Sequence, residues 1–228
     1  MENTTATAVP PITKENEGKP PIFRAVFGDA WDNLPPVMHK HYANRPFTRD
    51  AVTVQGFLTI EMAPIARLFA PLMKLTGVLV PYAGNALPAT VRFLSEPDSD
   101  AFIFDRVITV PGKPPFRFRS RMIPAGKNSP PHERVEFMRV GIGWHTGFHW
   151  KDGKIMLDHR GYAIRPWGKL ISLPLNFLFG RGKAVEEPLD ENRFRMGMEI
   201  HHFLFGVVYR YHGDFTVTEM AREGATHP

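Results

Sequence analysis

The segment TGFHWKDGKIML, residues 146–157, constrains the fold more than any other stretch, because apolar and polar side chains alternate on both sides of Asp152-Gly153. An Asp-Gly pair between alternating runs is the strongest short-range hairpin signal, and a two-residue loop fixes the strand register. Trp150 then faces Ile155, Phe148 faces Leu157, Thr146 faces His159, Trp144 faces Gly161 and Ile142 faces Ala163. One face of this hairpin is almost wholly apolar. The other carries His145, His149, Asp158 and Arg160, and reads as the outer, more polar face. Strand residues four apart lie roughly 13 Å from one another at about 3.3 Å per residue. His145 and His149 therefore cannot share a zinc ion, whose imidazole ligands stand at ~2 Å, and no metal site is expected. His159, by contrast, falls on the apolar face beside Thr146.

Two further segments behave the same way. In FIFDRVITVPGKPPFRFRSRM, residues 102–122, the turn PGKPP pairs Val110 with Phe116 and puts Arg106 opposite Ser120. Asp105 then meets Arg121 on the reverse face. Arg106 thus points to the side of Phe102, Phe104, Ile108, Phe116, Phe118 and Met122, where a cation is rarely left without a partner. In residues 191–217, placing His202 opposite Val207 pairs Ile200 with Tyr209, Met198 with Tyr211 and Phe194 with Phe215. The outer face of that register gains Glu199 with Arg210 and Arg195 with Asp214.

The remainder agrees with a mainly β chain. Eighteen Phe and 43% hydrophobic residues argue against disorder, and 22 Pro and 19 Gly break the apolar runs into many short segments. The 228 residues suffice for one undivided core. Residues 21–34 carry two adjacent apolar stripes at helical spacing, residues 50–62 alternate as a half-buried strand, and 64–75 form an apolar helix interrupted at Pro71. Residues 174–180 fit a helical turn or a loop. These elements predict an antiparallel β-barrel or strongly curved sheet of about eight to ten strands, like the lipocalins and fatty-acid-binding proteins, closed by short helices. The alternative is a helix-grip sheet around a long helix. Residues 1–20 read as a disordered polar arm, 21–217 as the barrel domain and 218–228 as a C-terminal tail. The first twenty residues have no apolar h-region, so a cytoplasmic location is expected.

With no Cys, thiolate chemistry and disulfides are excluded. A net charge of +5 favours anionic partners, but no RNA- or DNA-binding motif accompanies it and nucleic acid is not expected. No nucleophile motif, paired carboxylates or phosphate loop is present, and no cofactor is expected.

The segments PIFRAVFGDAWDNLPP at 21–36, FDRV with FRFRSRM, GYAIRPWGKLISLPL at 161–175 and the closing ENRFRMGMEIHHFLFGVVYRYHGDF together resemble the bacterial family of domain of unknown function 4166, over residues 21–216. Its members resemble stand-alone domains or appendages to nicotinamide-dependent oxidoreductases, which implies such an enzyme as a partner. The family has no established activity and supplies no catalytic residues.

The inward residues Arg106, Ser120, His159, His202, Tyr209, Tyr211 and Thr146 are the candidate ligand-binding set. They point to a small hydrophobic or amphiphilic molecule with an acidic head held by Arg106 and a tail among Phe and Met side chains. An isomerase- or cyclase-like enzyme using inward His, Tyr and Arg is the alternative. For Arg106, a structural ion pair with a neighbouring carboxylate is the competing role. The apolar stretches 65–73 and 170–183, with their basic residues, suggest a portal that touches anionic membrane transiently.

Overall fold

The computed structural model describes residues 18–224, so the expected polar arm lies outside the described residues except for its last three positions. Helices α1 (Ile22–Phe27) and α2 (Pro36–His41) flank a 3-10 segment at Gly28–Asn33. Strand β1 (Ala51–Met62) leads to α3 (Pro64–Leu68) and α4 (Ala70–Thr76). Then follow β2 (Gly84–Ser95), β3 (Phe102–Ile108), β4 (Phe116–Pro124), β5 (Glu133–Phe137), β6 (Gly143–Lys151) and β7 (Lys154–Ile164). The short β8 (Ile171–Leu173) and α5 (Asn176–Phe179) precede β9 (Arg181–Pro188), β10 (Arg193–His202) and β11 (Gly206–Ala221). The last strand takes in the first residues of the expected C-terminal tail.

Every pairing is antiparallel, in the order β6-β5-β4-β3-β2-β1-β11-β10-β9-β7-β8, and β6 pairs with β7 to close a ten-stranded barrel with β8 as an extra strand. Closure pairs each of the ten barrel strands on both sides over at least part of its length. Among the described residues no helix is long and apolar enough to cross a membrane.

The hairpin registers follow the alternation, with corrections at three places. Asp152 and Gly153 adopt φ of 53° and 74°, as a primed two-residue turn requires, and Thr146 pairs with His159. Beyond that point Arg160 is an extra residue, so Trp144 pairs with Tyr162 rather than Gly161. Gly161 makes this bulge possible at φ 147°, a backbone region that disfavours a side chain. In the second hairpin Arg106 pairs with Phe118 rather than Ser120, a shift of two residues. Pro111, Pro114 and Pro115 have no N–H for the ladder, so the loop widens to residues 109–115. A two-residue shift preserves the face of every side chain, and Arg106 remains inward. In the third hairpin all five pairs from Phe194 to Ile200 hold, but Val208 is an extra residue, so His202 faces Gly206 rather than Val207. The Val208 carbonyl instead accepts the N–H of Ala63 and ties the start of α3 to the barrel.

One end of the barrel is plugged. Phe23 of α1 packs against Tyr42 and, edge to face, against Phe102 and Phe148, at ring distances of 4.2, 4.9 and 5.3 Å. Arg45 and Asp50, both buried, form a bidentate pair that joins the helical segment to β1. Near this end the inward side chains Phe93, Phe194 and Phe215 are buried. Toward the other end Phe116, Phe118, Trp144, Met198 and Tyr211, also inward, are only half-buried. The barrel is therefore filled at the helical end and open at the mouth formed by connections 63–83, 109–115, 138–142, 165–180 and 203–205.

Candidate functional site

Three adjacent strands build a polar cluster midway along the interior. Arg106 of β3 donates Nη1–H to Ser120 Oγ of β4 at 2.7 Å and Nη2–H to Glu136 Oε1 of β5 at 2.9 Å. Ser120 in turn donates its hydroxyl proton to Glu136. The guanidinium carbon lies 4.3 Å from the ring centre of Phe104 and 4.9 Å from that of Phe118, so the cation is flanked by aromatic faces. Of the two roles weighed for Arg106, this geometry supplies the structural ion pair, since Glu136 balances its charge. From β11, Tyr211 faces the cluster. Burial pushes its hydroxyl up to about 12; the Arg106 charge pulls it down, while the carboxylates of Glu136 and Glu186 add to the rise. It is a protonated donor at neutral pH, and no described residue hydrogen-bonds it.

Toward the plug lies a second buried carboxylate. Glu186 Oε2 accepts the Tyr42 hydroxyl at 2.6 Å and stands 3.5 Å from Nε2 of His41. Burial raises the Tyr42 hydroxyl well above its ordinary value, with Glu186 adding to the effect. A cavity of about 20 Å³ between His41, Glu186 and Arg106 has room for about one water.

Toward the mouth the wall opens. Strand β5 pairs with β4 only between Arg121 and Pro124, so Phe116–Ser120 has no ladder on that side. A cleft of about 550 Å³ wraps over this free edge and reaches Ser120. Phe116, Phe118, Phe137 and Met138 provide apolar walls. Lys74, Arg117, Arg119, Arg121 and Arg139 supply positive charge against the single carboxylate of Glu96. Glu96 lies 3.0 Å from Arg121 and 3.7 Å from Arg119, and Arg117 pairs with Asp105, which leaves Lys74 and Arg139 without an ion-pair partner among the described residues. No group of three or more His, Asp or Glu among the described residues is placed to hold a metal ion.

Of the sequence-derived set, Arg106, Ser120 and Tyr211 come together, while the other four are tied up elsewhere. Thr146 is fully buried and donates to the Asp158 carbonyl. Tyr209 is buried and donates to the Val80 carbonyl at 3.1 Å, fastening the chain that follows α4. His159 accepts from Trp144 Nε1–H at Nδ1 and donates Nε2–H to Asn176 Oδ1 at 2.8 Å. His202, displaced by the Val208 bulge, donates Nε2–H to the Phe177 carbonyl at 2.9 Å and accepts Leu204 N–H at Nδ1. Both histidines therefore pin α5 at the mouth. His145 is paired with Glu133 at 3.1 Å. Sequence reasoning missed Glu136, Glu186, Tyr42 and His41. The inward direction of Arg106 is itself the signal that a carboxylate faces it, and Glu136 lies in the alternating run ERVEF.

The chain is similar to the crystal structure of Rv2717c from M. tuberculosis, with 11% sequence identity over 85% of this chain and 99% of that one and a TM-score of 0.39. No curated protein matches it. The family model for the domain of unknown function DUF4166 matches residues 34–215, starting immediately after the segment PIFRAVFGDAWDN. The chain belongs to this family.

Proposed function

We propose that the protein binds a small amphiphilic molecule in the cleft beside β4, with its apolar body between Phe116, Phe118 and Met138. The observation that carries this reading is a 550 Å³ cleft with apolar walls and a cationic rim, ending on a hydroxyl. That volume falls within the ~300–1,000 Å³ of small-molecule sites. The charge on Arg106 is balanced by Glu136, so an acidic head belongs at the rim, where Lys74 and Arg139 have no carboxylate of their own. Ser120, whose proton goes to Glu136, can accept a hydrogen bond from a ligand hydroxyl, and the Tyr211 hydroxyl has a proton to donate deeper in the interior. The test is titration with an anionic fluorescent fatty acid and its uncharged alcohol, alongside native mass spectrometry of protein taken from its own host. Saturable binding that prefers the acid and weakens about tenfold in Lys74→Glu/Arg139→Glu is expected. If neither probe binds saturably and no ligand co-purifies, the reading falls.

A second reading, an isomerase- or cyclase-like enzyme acting on such a molecule, is favoured by one observation. The Tyr211 hydroxyl keeps its proton, has no hydrogen-bond partner among the described residues and feels the charges of Arg106 and Glu136, so it can donate to an oxygen on which charge develops. Chemical conversion of the co-purifying ligand by the wild type but not by Tyr211→Phe would support it.

A further inference from the structure

The two ends of the barrel carry opposite charge. The five connections at the mouth contain Arg67, Lys74, Lys113, Arg139, Arg165 and Lys169, and no Asp or Glu. At the plugged end the four strand connections, 96–101, 125–132, 152–153 and 189–192, contain Glu96, Asp98, Asp100, Asp152, Asp190 and Glu191 against one Lys127. The N-terminal segment covering that end brings charges of both signs.

Exposed apolar side chains follow the same division. Thirteen of the seventeen exposed large hydrophobics among the described residues lie in the mouth connections. Leu68 and Leu75 project from α3 and α4, Phe177 from α5, and Phe203 and Leu204 from the β10–β11 tip. Trp167 is 95% exposed, held at the tip of its turn with φ 48°. In α3–α4 the opposite side, with Ala66 and Met73, packs on the barrel core, so the outward leucines are not needed for folding. Burying such protrusions in an acyl layer while adjacent Lys and Arg meet anionic headgroups is the physics of interfacial anchoring.

We infer that the mouth of the barrel docks on an anionic lipid surface, placing the Lys74 and Arg139 end of the cleft beside β4 at the bilayer interface. Apolar tips that protrude from separate connections, interleaved with unopposed cations, fit a fluid charged interface. A second copy of this chain would bring the same six cations face to face. The acidic plugged end is repelled by the same surface, and this sets the orientation.

Ligand-free protein is mixed with vesicles of phosphatidylcholine alone or with phosphatidylglycerol, some carrying brominated acyl chains. Co-sedimentation is expected on the anionic vesicles, falling with salt, and brominated chains should quench emission from Trp167 but not from Trp167→Phe. Lys74→Glu/Lys169→Glu and Phe203→Ser/Leu204→Ser should each weaken binding at least about tenfold, whereas Lys127→Glu at the far end should not. Thermal melts of each variant separate lost docking from lost folding. Equal binding to both vesicle types, or binding without quenching of Trp167, overturns the inference. A stable dimer that buries Trp167 and ignores vesicles would assign the mouth to a second copy instead. Since no ligand is present, failure here leaves the amphiphile reading intact, and failure of that reading leaves this one intact.

Discussion

Arg106 and Glu136 stand 2.9 Å apart on strands that are not neighbours, bridged by Ser120 on the strand between them. Both charged side chains are buried, Arg106 at 9% exposure. Removing one partner of a buried pair leaves the other uncompensated, whereas removing both abolishes the desolvation cost as well. Arg106→Met should therefore lose about 3 kcal/mol of unfolding free energy, and Arg106→Met/Glu136→Leu should recover most of it. Urea denaturation of the single and double variants measures the coupling. Strictly additive losses would show that the two groups do not depend on each other.

Arg134, two residues away on β5, gives the opposite expectation. It is buried, its guanidinium carbon lies 5.9 Å from the Phe23 ring centre, and no described residue hydrogen-bonds its Nε or Nη2. Burial pulls its pKa down to about 10, only partly offset by Asp100. A desolvated cation without a close carboxylate costs stability, and Met conserves much of its apolar stem. Arg134→Met should raise the urea midpoint by the equivalent of about 1 kcal/mol at unchanged m-value. A lowered midpoint would mean that the charge is compensated by groups other than these.

The inward direction of Arg106 was legible in the sequence because strand alternation has period two, so even a register two residues off keeps the face. Its partner was not, because β5 is only five residues long and no tight turn links it to β4. His202 was misplaced for another reason: nothing local marks Val208 as a bulge, whose carbonyl is spent on Ala63 from a different connection. Helical spacing made the part of the plug at residues 21–34 legible, though it is helical only at Ile22–Phe27 before a 3-10 segment, but α2 was not legible, and its placing of Tyr42 beside Glu186 depends on a contact across 144 positions of chain.

Two groups whose pKa values shift the same way, Asp50 and His159, contribute to the pH dependence of stability. Burial alone would raise the Asp50 carboxyl, but hydrogen bonds from Arg45 and from the Glu223 and Arg45 N–H groups outweigh it and hold it below its ordinary value. A depressed folded pKa stabilises the protein above the unfolded value of about 3.9, and that stabilisation is lost as pH falls through the folded value. His159 is likewise lowered, by burial first and by Arg181 and His145, against the opposing Asn176 hydrogen bond. Its contribution is full above about pH 6.5, the unfolded value, and declines as acid protonates the unfolded state preferentially. Melts of the wild type should thus fall first between about pH 7 and 5, then more steeply below 4. His159→Gln should remove the first decline, and Asp50→Asn should make the second shallower, the rest of it belonging to Asp105 and the other lowered carboxylates, while lowering stability at neutral pH. A first decline that survives in His159→Gln would assign it to another group.

The seam between β1 and β11 tests how closely the barrel is wound. A Cβ placed on Gly213 would lie 2.0 Å from the Phe57 carbonyl oxygen, and one on Gly56 would lie 2.1 Å from that of Asp214. Backbone oxygens cannot rotate away as a side chain does, so either substitution must separate the two strands. Gly197, on the neighbouring β10, meets nothing closer than the His212 Cβ at 4.0 Å. Gly213→Ala should therefore cost about 3 kcal/mol or more, in the range of severe steric substitutions, while Gly197→Ala should change stability by less than about 0.5 kcal/mol. Hydrogen exchange should show the same contrast, with Gly213→Ala exposing amides along Val54–Ile60 and Gly197→Ala leaving them protected. Equal stability of the two variants would mean that the β1–β11 backbones stand further apart than this geometry requires.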